Sequence, residues 1–188
     1  QPNGVRATGE HTGRKYFLST MLAVTTHENG NSDDEVLKYL QAAVEADATR
    51  PKGSFYFTKT GDVRSKTRQP HYAHAIRELA KLGYRGKVVD TILPSGQDDV
   101  LGCSIGRAKW SWNSSKSRIL PGAICENLTS LGGVFNKKNS QTALTEFLRH
   151  GAAGSSGTIC EPYAIQAKFP HPMIQVHYAR GCTLAEAF

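Results

Sequence analysis

Apolar positions along the chain switch between runs that suit buried strands and a three-to-four residue spacing that suits amphipathic helices. Residues 16–24 (YFLSTMLAV) form a continuous apolar run, short enough for a buried strand. After the loop THENGN, Ser32 and Glu35 have the spacing of a capping box, and Val36, Leu37, Leu40, Ala43 and Val44 supply a helix face. SFYFT at 54–58 reads as the second strand. Pro70 then suits the first turn of a second helix, with Tyr72, Ala73, Ile76, Leu79 and Ala80 as its face and Gly83 as its end. KVVDTIL (87–93) and DVLGCSI (99–105) read as the third and fourth strands, separated by the turn Pro94-Ser95-Gly96. Residues 121–135 fit two readings: a helix through Ile124, Leu128 and Leu131, or a strand followed by a Gly-Gly turn.

The clearest unit lies at 140–162. Ser140 is placed to N-cap a helix carrying Leu144, Phe147 and Leu148 on one face, and Gly151 sits where a left-handed residue ends helices. Residues 152–159 are small or β-branched, which predicts a short buried strand, and Glu161-Pro162 stops it. Helix, glycine and buried strand make the second half of a βαβ unit, so the sheet is expected to be parallel and covered on both faces. The whole pattern predicts an α/β fold: a three-layer sandwich, mostly parallel, with right-handed crossovers and helices on both faces. In such sheets ligands sit at the carboxyl ends of the strands. That expectation selects THENGN, KTGD, LPSGQ, GRAKW, SLGG and CEP as the functional rim.

Residues 1–15 read as a polar tail and 16–188 as a single α/β domain. Beyond Pro162 the chain is aromatic and proline-broken, suiting a covering loop with a short helix. Thr183 and Glu186 repeat the capping-box spacing, so a helix is expected to begin there and to continue past Phe188.

At 188 residues, 39% hydrophobic and 21% charged, the chain is expected to bury a sizeable core. It has no run long enough to span a bilayer and no signal-peptide pattern at its start. A net charge of +7 raises the question of nucleic acid. The only dense basic cluster is Lys59, Arg64, Lys66 and Arg68, without interleaved aromatics, so no specific nucleic-acid binding is expected. The cluster reads as a solvated loop or an anion-binding one. The four cysteines, Cys103, Cys125, Cys160 and Cys182, contain no CxxC pair, which argues against a zinc knuckle and leaves buried thiols or two disulfides.

Candidate chemistry is sparse. Cys125 with His27 is the best nucleophile and base pair, against a packed thiol and a loop histidine. Ser130 with a histidine is a second, weaker pair, because serine depends still more on its base. Glu28, Asp62, Asp98, Asp99, Glu126 and Glu161 place carboxylates near the rim, but no spacing converges them on a cation, and no metal is expected. GAAGSSG lacks the lysine of a P-loop and follows a helix instead of opening one, so no nucleotide or other cofactor is expected. His171, between two prolines, and His177 suit loop packing better than metal ligation. Trp110 and Trp112 suit either stacking on a ligand or one buried and one exposed ring. As binding residues the candidates are Glu28, Trp110, Glu126 and Glu161.

The segments RKYFLSTMLAV, RPKGSFYF, GDVRSKTR, ILPGAICENLTSLGG and GAAGSSGTICEPYAIQAKFPHP, followed by GCTLAEAF, resemble an uncharacterised bacterial family from species carrying exosortase protein-sorting systems. The most specific runs are LTS-x-GG and GA-x-GS-x-GT-x-x-EP. Members of that family carry a further N-terminal α/β segment and a longer last helix. The resemblance therefore implies a secreted or envelope-associated bacterial protein, with an apolar face left for a protein partner or self-association. The family in turn is similar to the caspase–gingipain fold, in which a histidine follows one strand and a cysteine the next. At the histidine's position this chain has Ile105, ahead of Trp110, and isoleucine cannot accept a proton. For the nucleophile, anchoring on Gly133-Val134-Phe135 selects Ser130, whereas anchoring on sulfur selects Cys125. Two functions follow as expectations: a non-catalytic caspase-like module for protein binding or envelope and surface assembly, or a cysteine peptidase-like hydrolase with displaced residues.

Overall fold

The computed structural model describes residues 30–135 and 140–188. The expected strand at 16–24, with His27 and Glu28, lies outside the described residues. Helix α1 (Asp33–Ala46) is followed by β1 (Ser54–Thr58), a short α2 (Val63–Lys66), α3 (Gln69–Lys81) and β2 (Arg85–Val89). Then come β3 (Val100–Ile105), β4 (Ile119–Asn127), α4 (Thr145–Arg149), α5 (Ile174–Ala179) and α6 (Leu184–Ala187). The four strands are ordered β2-β1-β3-β4 and every pairing is parallel. The ambiguous segment at 121–135 thus resolves as strand and turn.

Strand parity divides the core. Phe55 and Phe57 pack with Leu101, with Tyr72, Ala75 and Leu79 of α3, and with Val176 of α5. Tyr56 points the other way and packs with Cys103, Ile105, Ala123 and Cys125, and with Phe147 and Leu148 of α4. Successive strand side chains face opposite sides, so helices supply apolar cover to both faces, as a three-layer sandwich requires. β2 forms the exposed edge. On the far side of β4, residues 152–157 are buried. Ala153 N donates to Ala123 O at 2.7 Å, Cys125 N to Gly154 O at 3.0 Å, and Ile124 bridges Gly154 in parallel. The expected last strand is therefore a single bridge, and Ile159, read as part of it, is exposed.

Both capping boxes form, Ser32 with Glu35 and Thr183 with Glu186. The expected cap at Ser140 does not; α4 begins at Thr145 without a side-chain cap, because Thr142 is drawn toward the 108–110 loop by Ala108 O and Trp110. Two helix faces are rotated from the periodicity reading. α3 buries Tyr72, Ala75 and Leu79, and leaves Ala73 and Ala80 exposed. α1 turns Val36, Tyr39 and Ala43 inward, whereas Leu37, Leu40 and Val44 remain 64%, 42% and 76% exposed.

Candidate functional site

The carboxyl ends of β1, β3 and β4 meet a buried polar layer. Register pairs Phe57 with Ser104 and Ser104 with Glu126, placing these three on the α3 and α5 face. Arg68, just before α3, reaches into this layer and is 1% exposed. Its guanidinium donates to Glu126 and to the Ile105 carbonyl. The other Glu126 oxygen accepts from Ser156 Oγ at 2.9 Å. One buried carboxylate thus joins the start of α3 to β4 and to the GSSG segment. Gln175 of α5, also buried, donates toward Ile124 O at 3.3 Å and Ser104 Oγ at 3.4 Å. This approach requires Gly102, since a Cβ there would collide with both Gln175 and the Phe55 ring.

The basic cluster is therefore not a plain solvated loop. Asp62 caps α2 by accepting from Arg64 N at 3.0 Å, and Ser65 Oγ donates to Thr58 O at 3.0 Å. This turn delivers Arg68 to the interior and leaves Lys59 and Lys66 outside. Nothing in one sequence separates the four cations. Asp62 is partly buried between Arg64 at 3.2 Å and Arg107 at 3.7 Å.

The neighbouring loops are tied to one another. Asn127 accepts from Arg107 N at 3.0 Å and donates to Arg107 O at 2.9 Å. Gly133 N donates to Thr158 O at 2.9 Å, and the Thr158 hydroxyl lies 2.8 Å from Thr129 O and 2.7 Å from Ser130 O. The backbone of Gly157 lies against that of Gly132-Gly133, with no room for a Cβ on Gly133 or Gly157. The LTSLGG and GSSGT runs are thus two halves of one interlocked structure.

Cys125 sits in mid-strand on the opposite face, paired in register with Cys103 and 0% exposed. Burial, followed by the Cys103 sulfur beside it, pushes its thiol well above the ordinary range. Such a thiol lacks the exposure and thiolate character that a nucleophile needs. Ser130 follows β4 on the turn and is 8% exposed, with its carbonyl held by Thr158. Ile105 is buried at the end of β3, with its carbonyl taken by Arg68.

Glu126 is structural ground for the rim, with both oxygens occupied internally. Glu161 is exposed and accepts from Tyr163 N at 2.8 Å. Trp110 is half-buried with its ring 4.4 Å from that of Phe147, and Trp112 is buried, donating to Ser117 O at 2.9 Å. Asp99, expected near the rim, lies at the amino end of the sheet. It accepts from Ser54 Oγ at 2.8 Å, Tyr56 at 2.6 Å and Arg85 at 2.7 Å. Burial raises its pKa, but those hydrogen bonds outweigh this and hold it below the ordinary value. His171 packs at a tilt against the His71 ring, centroids 4.3 Å apart, and accepts from Met173 N at 3.1 Å. Burial and then the His71 ring lower its pKa. Among the described residues no three His, Cys, Asp or Glu side chains converge on a cation position, and no helix is long and apolar enough to cross a membrane.

No family model, no curated protein and no solved structure matches the chain.

Proposed function

We propose that the chain is a non-catalytic caspase-like module that assembles with further copies of itself through the outer face of α1. The observation that carries the non-catalytic half is the Arg68–Glu126 pair. It fills the sheet end, where α/β folds ordinarily place chemistry, with a buried carboxylate already committed to Arg68 and Ser156. Ile105 stands at the position of the base, and Cys125 is enclosed in the strand. The hydrolase reading would need a different base and an opened rim. The strand order β2-β1-β3-β4, all parallel, is one that doubly wound α/β sheets share.

The assembly half rests on α1. Leu37, Leu40 and Val44 are spaced three and four residues apart, the a-d-a stripe of a helix that packs on another helix. This stripe adjoins the inward face of Val36, Tyr39 and Ala43, so the apolar surface of α1 continues beyond its packed side. Flanking Gln41 is neutral, while Asp33 and Asp47 bound the stripe at its two ends. Two such helices related by a two-fold axis would present the same patch to each other. Each fully buried aliphatic side chain is worth roughly 1.5–3 kcal/mol. Association itself costs about 4–15 kcal/mol, so the contact is expected to be weak. The test is the oligomeric state of the chain with and without Leu37→Glu and Val44→Glu, alongside peptide-cleavage assays that are expected to show no turnover.

A further inference from the structure

A cavity of about 500 Å³ opens away from the carboxyl rim, between the end of α1, the early residues of β1, β3 and β4, and the α5–α6 corner. That volume falls in the range of small-molecule sites, roughly 300–1,000 Å³. Its walls are Phe55 of β1, Tyr84 before β2, Tyr39 of α1 and Tyr178 of α5. Tyr39 is already committed, donating to Ala153 O at 2.6 Å. The side-chain hydroxyls of Tyr84 and Tyr178, also on the lining residues, have no hydrogen-bond partner among the described residues. Asp47 and Arg50 complete the lining, three residues apart on the loop that leaves α1. No ion pair within 4.0 Å joins Arg50 to an acid among the described residues, and Asp47 accepts only from the backbone N of Ala48.

We infer that this cavity binds a small zwitterion with an apolar or aromatic body, such as a free amino acid with a large side chain. Arg50 takes its carboxylate, Asp47 takes its ammonium, and the aromatic walls take the body. An uncharged ligand would leave both charges unused. A singly charged one would satisfy one and leave the other facing it with no gain. The site is separate from the rim and from the outer stripe of α1.

The test is isothermal titration of the full chain with three probes: L-phenylalanine, phenethylamine, which carries only the ammonium, and 3-phenylpropionate, which carries only the carboxylate. L-Phenylalanine is expected to bind one per chain, at least tenfold more tightly than either analogue. Arg50→Gln is expected to erase its advantage over phenethylamine, and Asp47→Asn its advantage over 3-phenylpropionate. Both changes are on the exposed loop and leave the fold intact, which circular dichroism checks. Ala46→Trp, which fills the cavity from the end of α1, is expected to abolish binding of all three. Absence of saturable binding by L-phenylalanine, equal binding of the three probes, or binding retained in Ala46→Trp would each overturn the inference.

Discussion

Arg68 and Glu126, 58 residues apart in the chain, form an ion pair in which both side chains are almost wholly buried. The pair closes the sheet at the end where a ligand would enter. Taking two charges out of water is costly, and breaking such a pair leaves one of them uncompensated. Arg68→Met or Glu126→Leu alone is therefore expected to destabilise the chain by roughly 3–5 kcal/mol. The double change is expected to recover most of this loss. Urea unfolding of the three variants checks it, and full additivity of the single losses would show that the two residues do not act as a pair.

The thiols separate the two functional readings. Cys103 and Cys125 are buried and Cys160 is exposed, with Cys182 between. A chromogenic disulfide reagent at neutral pH is expected to titrate Cys160 and Cys182 in the folded chain, and all four only after unfolding. Fast labelling of Cys125 in the native state would favour the hydrolase.

Gly102 makes room for Gln175 and Phe55 on the same face of β3. Gly102→Ala is expected to cost about 1–3 kcal/mol, the usual range for an overpacked core. A melting temperature equal to that of the parent would mean that the close approach is not maintained in solution.

Stability should fall on both sides of neutrality through one cluster. Asp99 has a lowered pKa, so its contribution is present above the ordinary carboxylate value, about 4, and is lost as pH drops through the folded value. Tyr56 is pushed up to about 12 by burial and by its hydrogen bond to Asp99. The unfolded chain, with a tyrosine pKa of about 10, then gives up its proton first, so stability falls as pH rises from 10 toward 12. Tyr56→Phe is expected to flatten the alkaline limb, and Asp99→Asn the acid limb, in pH-dependent denaturant titrations.

Much of the fold was legible because it depends on local periodicity. Both capping boxes, the β-rich runs at 54–58 and 99–105, and the parallel arrangement follow from spacing and from alternation of strand and helix. The helix faces were less so. On a helical wheel Val36 lies about 100° from Leu37, both sides are apolar, and only tertiary contact decides that α1 turns Val36 inward with Tyr39. The polar layer was the least legible part. Arg68 is one of four cations within ten residues, and its burial depends on the Asp62–Ser65 turn and on a carboxylate 58 positions away. Gln175 lies between Ile174 and Val176 with no local sign that it packs on Gly102. Asp99 departs from the rim expectation for a simpler reason: it precedes β3, so it marks the amino end of the sheet, while the rim lies at the other.

The most direct measurement of the assembly is sedimentation equilibrium of the chain across the micromolar range, beside the Leu37→Glu, Val44→Glu double variant. The account predicts reversible dimers for the parent, and a monomer for the variant with unchanged circular dichroism. A parent that stays monomeric throughout, or a variant that associates as strongly as the parent, would contradict it.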